Sequence, residues 1–542
     1  MGEVKNVAGE QTETEEFELS SGAVTPLDEN DKKIGIISAI GLIFNRMVGT
    51  GIFSTTSTIY ALSGSVGLSL ILWVVGSLIA LAGLYVYMEF GSAIRKNGGE
   101  KNYLEYVYRK PRFLVSCMYG AYVFFLGWAA GNSIVFGEYI LTAAGVEVTR
   151  WNERGVGIAC ITFAFLVHSL NIKAGMYLQN VLGLFKLIII LIITVTGWVG
   201  LAGKISGAPG KTNFHNAFSG NGATGYGVVT ALYNIIWSFI GYSNANYSLG
   251  EVKNPVKTLK FSGPVAVIFL AIIYMFVNIA YFAVVPLDQL ASSGQIVASL
   301  FFKIAFGVKS QKALSVFVAL SALGNVLSVI FSQGRVVQQL GREGILPFSS
   351  FFATQKPFNT PAVGLLEHWV ICVITIVAPP PGDAYNFILN LISYPLNIVN
   401  LFVAIGLLWL HYQNKKGIQA WNPPIKATVP VTIFFLLASA YLVVAPYIAP
   451  SKGNSVYEHL PYYLHCVVGI GIFCVGALYW LVWAHILPAI GGYYLHSSKE
   501  LDDDGFWRRK IIKVKNGEAV PESSDSSVNN VGINTVKNED YA

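Results

Sequence analysis

Two glycine-flanked polar positions lie in segments otherwise too apolar to face water, and they define the chemistry open to this chain. The first reads Ile-Phe-Asn-Arg-Met-Val-Gly-Thr-Gly-Ile-Phe at 43–53. Gly49 and Gly51 flank Thr50 where glycine weakens a helix and no water satisfies freed backbone groups. Close helix–helix contact through small residues is one reading. The other is a discontinuous helix, in which the amides of Gly49, Thr50 and Gly51 open a half-helix and face an anion. The second position, about 190 residues on, reads Trp-Ser-Phe-Ile-Gly-Tyr-Ser-Asn at 237–244. There Gly241 follows Trp237, Ser238, Phe239 and Ile240, whose unwound carbonyls offer acceptors to an ammonium. Amides on one side and carbonyls on the other suit a zwitterion, so the pair predicts an amino-acid site.

Two cations share this apolar setting. Lys186 lies eight residues into its segment, about 12 Å along a helix rising roughly 1.5 Å per residue. It either snorkels to an interface or is a buried ammonium with a function, such as coupling. Arg46, three residues before the Gly-Thr-Gly, either satisfies carbonyls freed by the break or meets a carboxylate of the substrate or of a gate. Glu138 is the candidate gating acid, placed by its position in the third segment near the outer rim. Glu89 and Glu251 read as salt-bridge partners at segment ends, and Glu367–His368 as a packing pair. The core thus holds cations without a central acid, which disfavours a cationic substrate and favours one bearing a carboxylate.

The elements that position these residues follow from composition. Only 12% of the 542 residues are charged, against roughly 25% in soluble domains. Of 30 acids, nine lie in 1–31 and nine in 489–542. What remains cannot present a water-facing surface of ordinary size. A bilayer core needs about 20 apolar residues in a helix. Such runs occur near 34–61, 66–91, 113–145, 155–171, 178–203, 227–250, 261–286, 313–340, 361–378, 384–411, 427–449 and 462–488. The expectation is an all-α polytopic membrane protein of twelve spans in its lipid bilayer, with a disordered acidic tail over 1–31, a core over 32–488 and a second tail over 489–542. With the N-terminus inside, cytosolic segments hold 26 of the 36 Lys and Arg and outer loops eight. That satisfies the positive-inside rule and places both tails in the cytosol.

Several classes drop out. The net charge of +6 is a topology signal and no sign of nucleic-acid binding. The five cysteines lie in apolar runs without a Cys-x-x-Cys pair, which argues against a metal site. No nucleophile–base pair or ligand cluster marks an enzyme, so neither catalytic residues nor a cofactor are expected. Neither a carbonyl filter nor an acidic ring marks a channel. Two interrupted spans at corresponding places instead point to an inverted-repeat transporter.

The chain resembles the amino acid–polyamine–organocation superfamily, in its L-type amino acid transporter-like branch, across about residues 31–515. The resemblance rests on Asn-Arg-Met-Val-Gly-Thr-Gly-Ile-Phe (45–53) and Tyr-Met-Glu-Phe-Gly-Ser-Ala-Ile-Arg-Lys-Asn-Gly-Gly-Glu-Lys-Asn-Tyr (87–103). Ile-Trp-Ser-Phe-Ile-Gly-Tyr-Ser-Asn (236–244), Gly-Glu-Val-Lys-Asn-Pro (250–255), Phe-Ser-Gln-Gly-Arg (331–335), Gly-Arg-Glu-Gly-Ile-Leu-Pro (341–347) and Ala-Pro-Pro-Pro-Gly-Asp-Ala-Tyr (378–385) add to it. It implies a LeuT-type fold: a 5+5 inverted repeat over about 34–203 and 227–411, plus two extra spans. It further implies a carboxylate on Gly49–Gly51, an amine on carbonyls near Met47, Val48 and Trp237–Ile240, and Trp237 as the gating aromatic. Lys186 matches the lysine that replaces sodium in sodium-independent members.

The activity so implied is import of L-methionine, with cysteine as a second substrate, across the plasma membrane by proton symport and alternating access. A broader neutral amino-acid permease or exchanger, or a non-transporting sensor, stays open as the alternative. The loop at 146–154 has no cysteine, so no disulfide-linked helper subunit is expected. Lys32 and Lys33 resemble the tail lysines that ubiquitin-ligase machinery uses to drive endocytosis. Phe-Trp-Arg-Arg-Lys-Ile-Ile-Lys-Val-Lys at 506–515 fits either a membrane surface or docking on the cytosolic face.

Overall fold

The structure, a computed structural model, describes residues 35–95, 98–220, 222–356, 358–450, 455–501 and 507–516. Lys32, Lys33 and the tail from Glu518 lie outside them.

The first expected span is divided into α1 (Ile36–Met47), α2 (Gly51–Ser54) and α3 (Thr56–Ser63). The single long helix α4 (Val66–Ala93) follows, its first turn capped by the Ser65 hydroxyl, which accepts from Leu68 N at 3.3 Å. The short α5 (Glu100–Val107) lies outside the spans. The third span is also divided, into α6 (Leu114–Phe125) and α7 (Ala130–Ala144), an interruption the sequence reading did not anticipate. α8 (Arg150–Leu170) and α9 (Ile172–Leu201) complete the first set of five. A capping box between Thr149 and Asn152 starts α8, and the Asn171 side chain, accepting from Ala174 N at 3.1 Å, starts α9.

The second set opens with α10 (Gly225–Phe239), which gives way to a 3-10 segment at Asn244–Glu251. Then come α11 (Pro255–Val284), α12 (Leu287–Ser292), α13 (Val297–Arg342), α14 (Ser349–Ala353), α15 (Ala362–Val377) and α16 (Ala384–Lys415). α13 turns sharply at Gly307, whose φ of 82° a side chain would resist. α17 (Val429–Val444), α18 (Leu464–Leu481) and α19 (Leu487–Gly491) are followed by an antiparallel hairpin of β1 (Tyr493–Leu501) and β2 (Trp507–Lys515).

Ten helices, some of them interrupted, are long and apolar enough to cross a membrane among the described residues. The sixth and ninth expected spans correspond to α10 and α15, of 15 and 16 residues, shorter than the roughly 20 that a lone crossing needs. Packing respects an exchange of the two sets. α7 meets α8 as α13 meets α15, α1 meets α11 as α10 meets α4, and α9 meets α13 as α16 meets α7. A fivefold shift that maps contacts onto contacts is what a 5+5 repeat requires.

The hairpin bears on the alternative left open at 506–515, because Ile511 of β2 touches protein. Ile511 N donates to the Glu343 carbonyl at 3.0 Å, just past the end of α13, and Ile511 packs on the apolar core.

Candidate functional site

The two interrupted helices touch at their breaks. α1 ends at Met47, Val48 is extended, and the next helical turn begins at Gly51. A Cβ at Gly51 would stand 2.3 Å from Ser238 Oγ and 2.9 Å from Ser238 Cα. Gly51 is therefore glycine because α10 passes directly against it. On the other break, Gly241 has φ +112°, and a Cβ there would meet Arg46 Cγ at 2.4 Å. Each break is thus roofed by the chain of the other, which explains why both carry glycine.

Several of the backbone groups freed by the first break find partners, as burial in a membrane demands. The Asn45 carbonyl accepts from Lys186 Nζ at 3.0 Å. The Arg46 carbonyl accepts from Asn325 Nδ2 at 3.1 Å. The Met47 carbonyl accepts from the Tyr274 hydroxyl at 3.0 Å and from Gly49 N at 2.9 Å. Thr50 N and Thr50 Oγ1 both donate to Asn132 Oδ1, at 3.2 and 2.7 Å. Three helices beyond the broken pair supply these partners: α9 gives Lys186, α11 gives Tyr274 and α13 gives Asn325. The unexpected break in α6/α7 delivers the fourth, Asn132, and with it Trp128.

Lys186 is fully buried and does not snorkel. Its ammonium bridges α9 to the end of α1, and a Cβ on Gly324 of α13 would lie 3.3 Å from Lys186 Cε. The cation therefore sits where α1, α9 and α13 meet.

A pocket of about 20 Å³ lies at the junction, lined by Arg46, Met47, Gly49, Thr50, Gly51, Trp128, Asn132, Trp237, Ile240 and Asn325. That volume holds about one water and no amino acid. Below it opens a vestibule of about 2580 Å³. It runs from Asn45 and Arg46 past Tyr122, Tyr247 and Gln339 to Glu343, Lys510 and Ile511, on the side of the basic loops. Arg46, Trp128 and Ile240 line both spaces and so form the partition between them. On the far side Tyr139 closes the route, its hydroxyl donating to the Phe53 carbonyl at 2.9 Å.

The expected site residues fall into two groups. Met47, Gly49, Thr50, Gly51, Trp237 and Ile240 come together around the pocket, with Arg46 at its floor. Trp237 lies over Gly131, whose added Cβ would be 3.4 Å from the indole. Val48 is buried but outside the lining, and Ser238 backs onto Gly51 with its hydroxyl donating to the Asn234 carbonyl at 3.2 Å. Phe239 turns away: its ring packs edge-on to Tyr274 at 5.3 Å and against Trp73 at 6.2 Å. Phe239 therefore offers no ring surface to the pocket, whose lining does not include it. Glu138 lies beyond the pocket on α7, with its Oε2 atom buried and without a hydrogen-bond partner. Among the described residues nothing pairs with the Arg46 guanidinium; the pairing of Arg46 with freed carbonyls passes instead to Lys186, Asn325 and Tyr274.

Glu89 does more than bridge a loop. Fully buried, its carboxylate accepts from Trp421 Nε1 at 2.8 Å, Ala427 N at 2.6 Å and His411 Nε2 at 2.6 Å. It pins the segment between α16 and α17 to α4. Lys101 of α5 forms an ion pair with Glu343, and a second with Glu105 at 3.3 Å.

Asn132, Asn325, Trp128 and Tyr274 escaped the sequence reading. Leu-Gly-Trp-Ala-Ala-Gly-Asn at 126–132 carried the same signal as the first break, a glycine pair beside a polar residue in mid-span. Asn325 had only a preceding glycine to mark it.

Two interrupted helices that meet at a small polar pocket, above a vestibule open to one side, are the architecture of a multi-pass membrane transporter. The chain belongs to the amino acid permease family, whose model matches residues 34–490. It is similar to the high-affinity methionine permease of Saccharomyces cerevisiae, 60% identical over 500 residues, covering 92% of this chain and 87% of that protein. The low-affinity methionine permease of the same yeast is 33% identical over 86% of this chain and 84% of its own length. The human b(0,+)-type amino acid transporter 1 is 28% identical over 84% of this chain and 88% of its own. Homologues that are transporters agree with the sequence expectation that this chain is no enzyme.

Proposed function

We propose that this chain imports L-methionine, with cysteine as a second substrate, across the plasma membrane by proton-coupled alternating access, with both termini in the cytosol. Similarity to two yeast methionine permeases supports the substrate. The observation that carries the mechanism is the bond from Lys186 Nζ to the Asn45 carbonyl. A fixed ammonium at the meeting of α1, α9 and α13 supplies the positive charge that otherwise a sodium ion would bring. A lysine can lose its proton when buried, whereas a metal ion cannot lose its charge.

The substrate carboxylate takes the Thr50 and Gly51 end of the break, at the start of a helix. The ammonium takes carbonyls across the pocket, where the chain leaves α10 between Trp237 and Ile240. Trp237 covers the bound side chain, and a flexible thioether packs well against an indole. Arg46, Trp128 and Ile240 part to release substrate into the vestibule. The orientation rests on the basic loops that surround the vestibule mouth.

Radiolabelled methionine uptake in a host lacking its own methionine transport tests the whole. Saturable uptake that collapses with a protonophore and ignores external sodium is expected. Uptake that needs sodium and ignores a collapsed proton gradient refutes the coupling. Failure to take up methionine, with the protein at the cell surface, refutes the substrate.

A further inference from the structure

Asn132 and Asn325 form a buried carboxamide relay inside the site that the proposed mechanism has not used. Thr50 gives two hydrogen bonds to Asn132 Oδ1, Asn132 Nδ2 donates to Asn325 Oδ1 at 3.0 Å, and Asn325 Nδ2 donates to the Arg46 carbonyl at 3.1 Å. The polarity of this relay is fixed at both ends. An amide N–H at Thr50 can only donate, and a carbonyl at Arg46 can only accept, so neither carboxamide can be flipped. Both side chains are buried.

Asn132 Oδ1 is a planar sp² oxygen lying at carboxylate distance from the Thr50 donors. Both Thr50 donors are taken by this oxygen, so a carboxylate that uses them must displace Asn132. We propose that the Asn132 carboxamide is an internal stand-in for the substrate carboxylate, displaced when an amino acid binds, and that Asn325 passes the displacement on to the Asn45–Arg46 segment held by Lys186. This rests on the placement of the carboxylate at Gly49–Gly51 made above.

The physical need is clear. Without substrate, the amide and hydroxyl of Thr50 would be unpaired in a membrane interior, at the cost of a buried unsatisfied donor. A neutral carboxamide removes that cost on the empty return step. It also yields to the correct ligand, because hydrogen bonds to a carboxylate are roughly twice as strong as neutral ones. An amide or ester of the same amino acid gains no such advantage over Asn132, so the stand-in also selects for a free carboxylate.

The test is binding to purified full-length protein, using methionine and its decarboxylated form, 3-(methylthio)propylamine. Asn132→Ala removes the competitor and should tighten methionine binding by about 3-fold or more, in line with the loss of two hydrogen bonds to be displaced. Asn132→Asp fixes an anion in the cradle. It should weaken methionine by about 100-fold through like charges at short range, and bind the amine at least about 10-fold better than wild type does. Unchanged or weaker methionine binding in the Asn132→Ala variant overturns the proposal, because Asn132 is then a retained ligand or a strut. Methionine bound normally by the Asn132→Asp variant overturns it as well, as does failure of both variants to fold. Wild-type protein that binds no α-amino acid overturns the proposed function instead, whatever the variants do, so the two failures are told apart.

Discussion

Gly51→Ala is the smallest change that tests the crossing of the two breaks. The added methyl would stand 2.9 Å from Ser238 Cα and 2.3 Å from Ser238 Oγ. Carbon atoms pack at about 3.5–4.0 Å, so α2 and α10 must separate by close to 1 Å. Ser238 cannot simply rotate away, because one of the atoms struck is its own backbone. Overpacking of this kind costs about 1–3 kcal/mol. If the strain falls on the bound state, methionine affinity drops about 5- to 140-fold, since about 1.4 kcal/mol is tenfold. Gly51→Val should do more, as a branched side chain also stiffens the unwound backbone. Gly49→Ala is the graded comparison: its Cβ meets only side-chain atoms, Asn325 Nδ2 at 2.9 Å and Asn132 Oδ1 at 3.3 Å, and its loss should be smaller. Gly41→Ala, with nothing within 4 Å, should leave affinity within error. The assay is methionine binding to purified protein, with melting temperature recorded for each variant. Unaltered affinity in Gly51→Val would refute the broken-helix site.

Lys186→Ala should leave methionine binding measurable while abolishing proton-driven accumulation in vesicles; full coupling in that variant rejects the proton route. Lys101→Met removes one partner of a buried ion pair with Glu343 and should destabilise the folded protein by about 3–5 kcal/mol, read as a lower melting temperature that Lys101→Met with Glu343→Met partly restores. Burial pushes the Glu100 carboxyl above its ordinary value, so the folded chain holds that proton more tightly than the unfolded one. Its contribution to stability is then present below the ordinary carboxylate range and declines as pH rises through the raised value; Glu100→Gln should flatten this part of a melting-temperature profile. Replacing Lys32 and Lys33 with arginine should slow methionine-triggered loss from the plasma membrane, followed by fluorescence of a tagged chain; unchanged loss removes their regulatory role.

Composition and periodicity alone determined that this chain lives in a bilayer, because a block with so few charges has no other solvent open to it. They also located the breaks in the first and sixth spans, though not the one in the third. Glycines beside polar residues in mid-span are visible in one dimension, since the unwinding they permit is a local backbone property. Lys186 was legible for the same reason: a lone ammonium deep in an apolar run must have a partner. Its partner was not legible. The Asn45 carbonyl lies 141 positions away, and no sequence pattern marks which backbone oxygen will be freed and turned toward it.

Tertiary structure decided the rest by bringing helices together. Phe239 and Thr50 both belong to broken spans, yet Phe239 faces Trp73 and Tyr274 while Thr50 faces Asn132. Rotation of a helix about its axis, fixed by neighbours remote in sequence, makes that difference. The shortness of α10 and α15 is another such decision. α10 stops at Phe239, where the chain unwinds, so the apolar run at 227–250 is not one helix; α15 is a single helix of 16 residues that exposes Leu366, Val370 and Ile374. The relay from Thr50 to Arg46 needs α7, α13 and the end of α1 at hydrogen-bonding distance at once. Each asparagine in isolation reads as an ordinary polar residue in a span, and only their meeting makes a site.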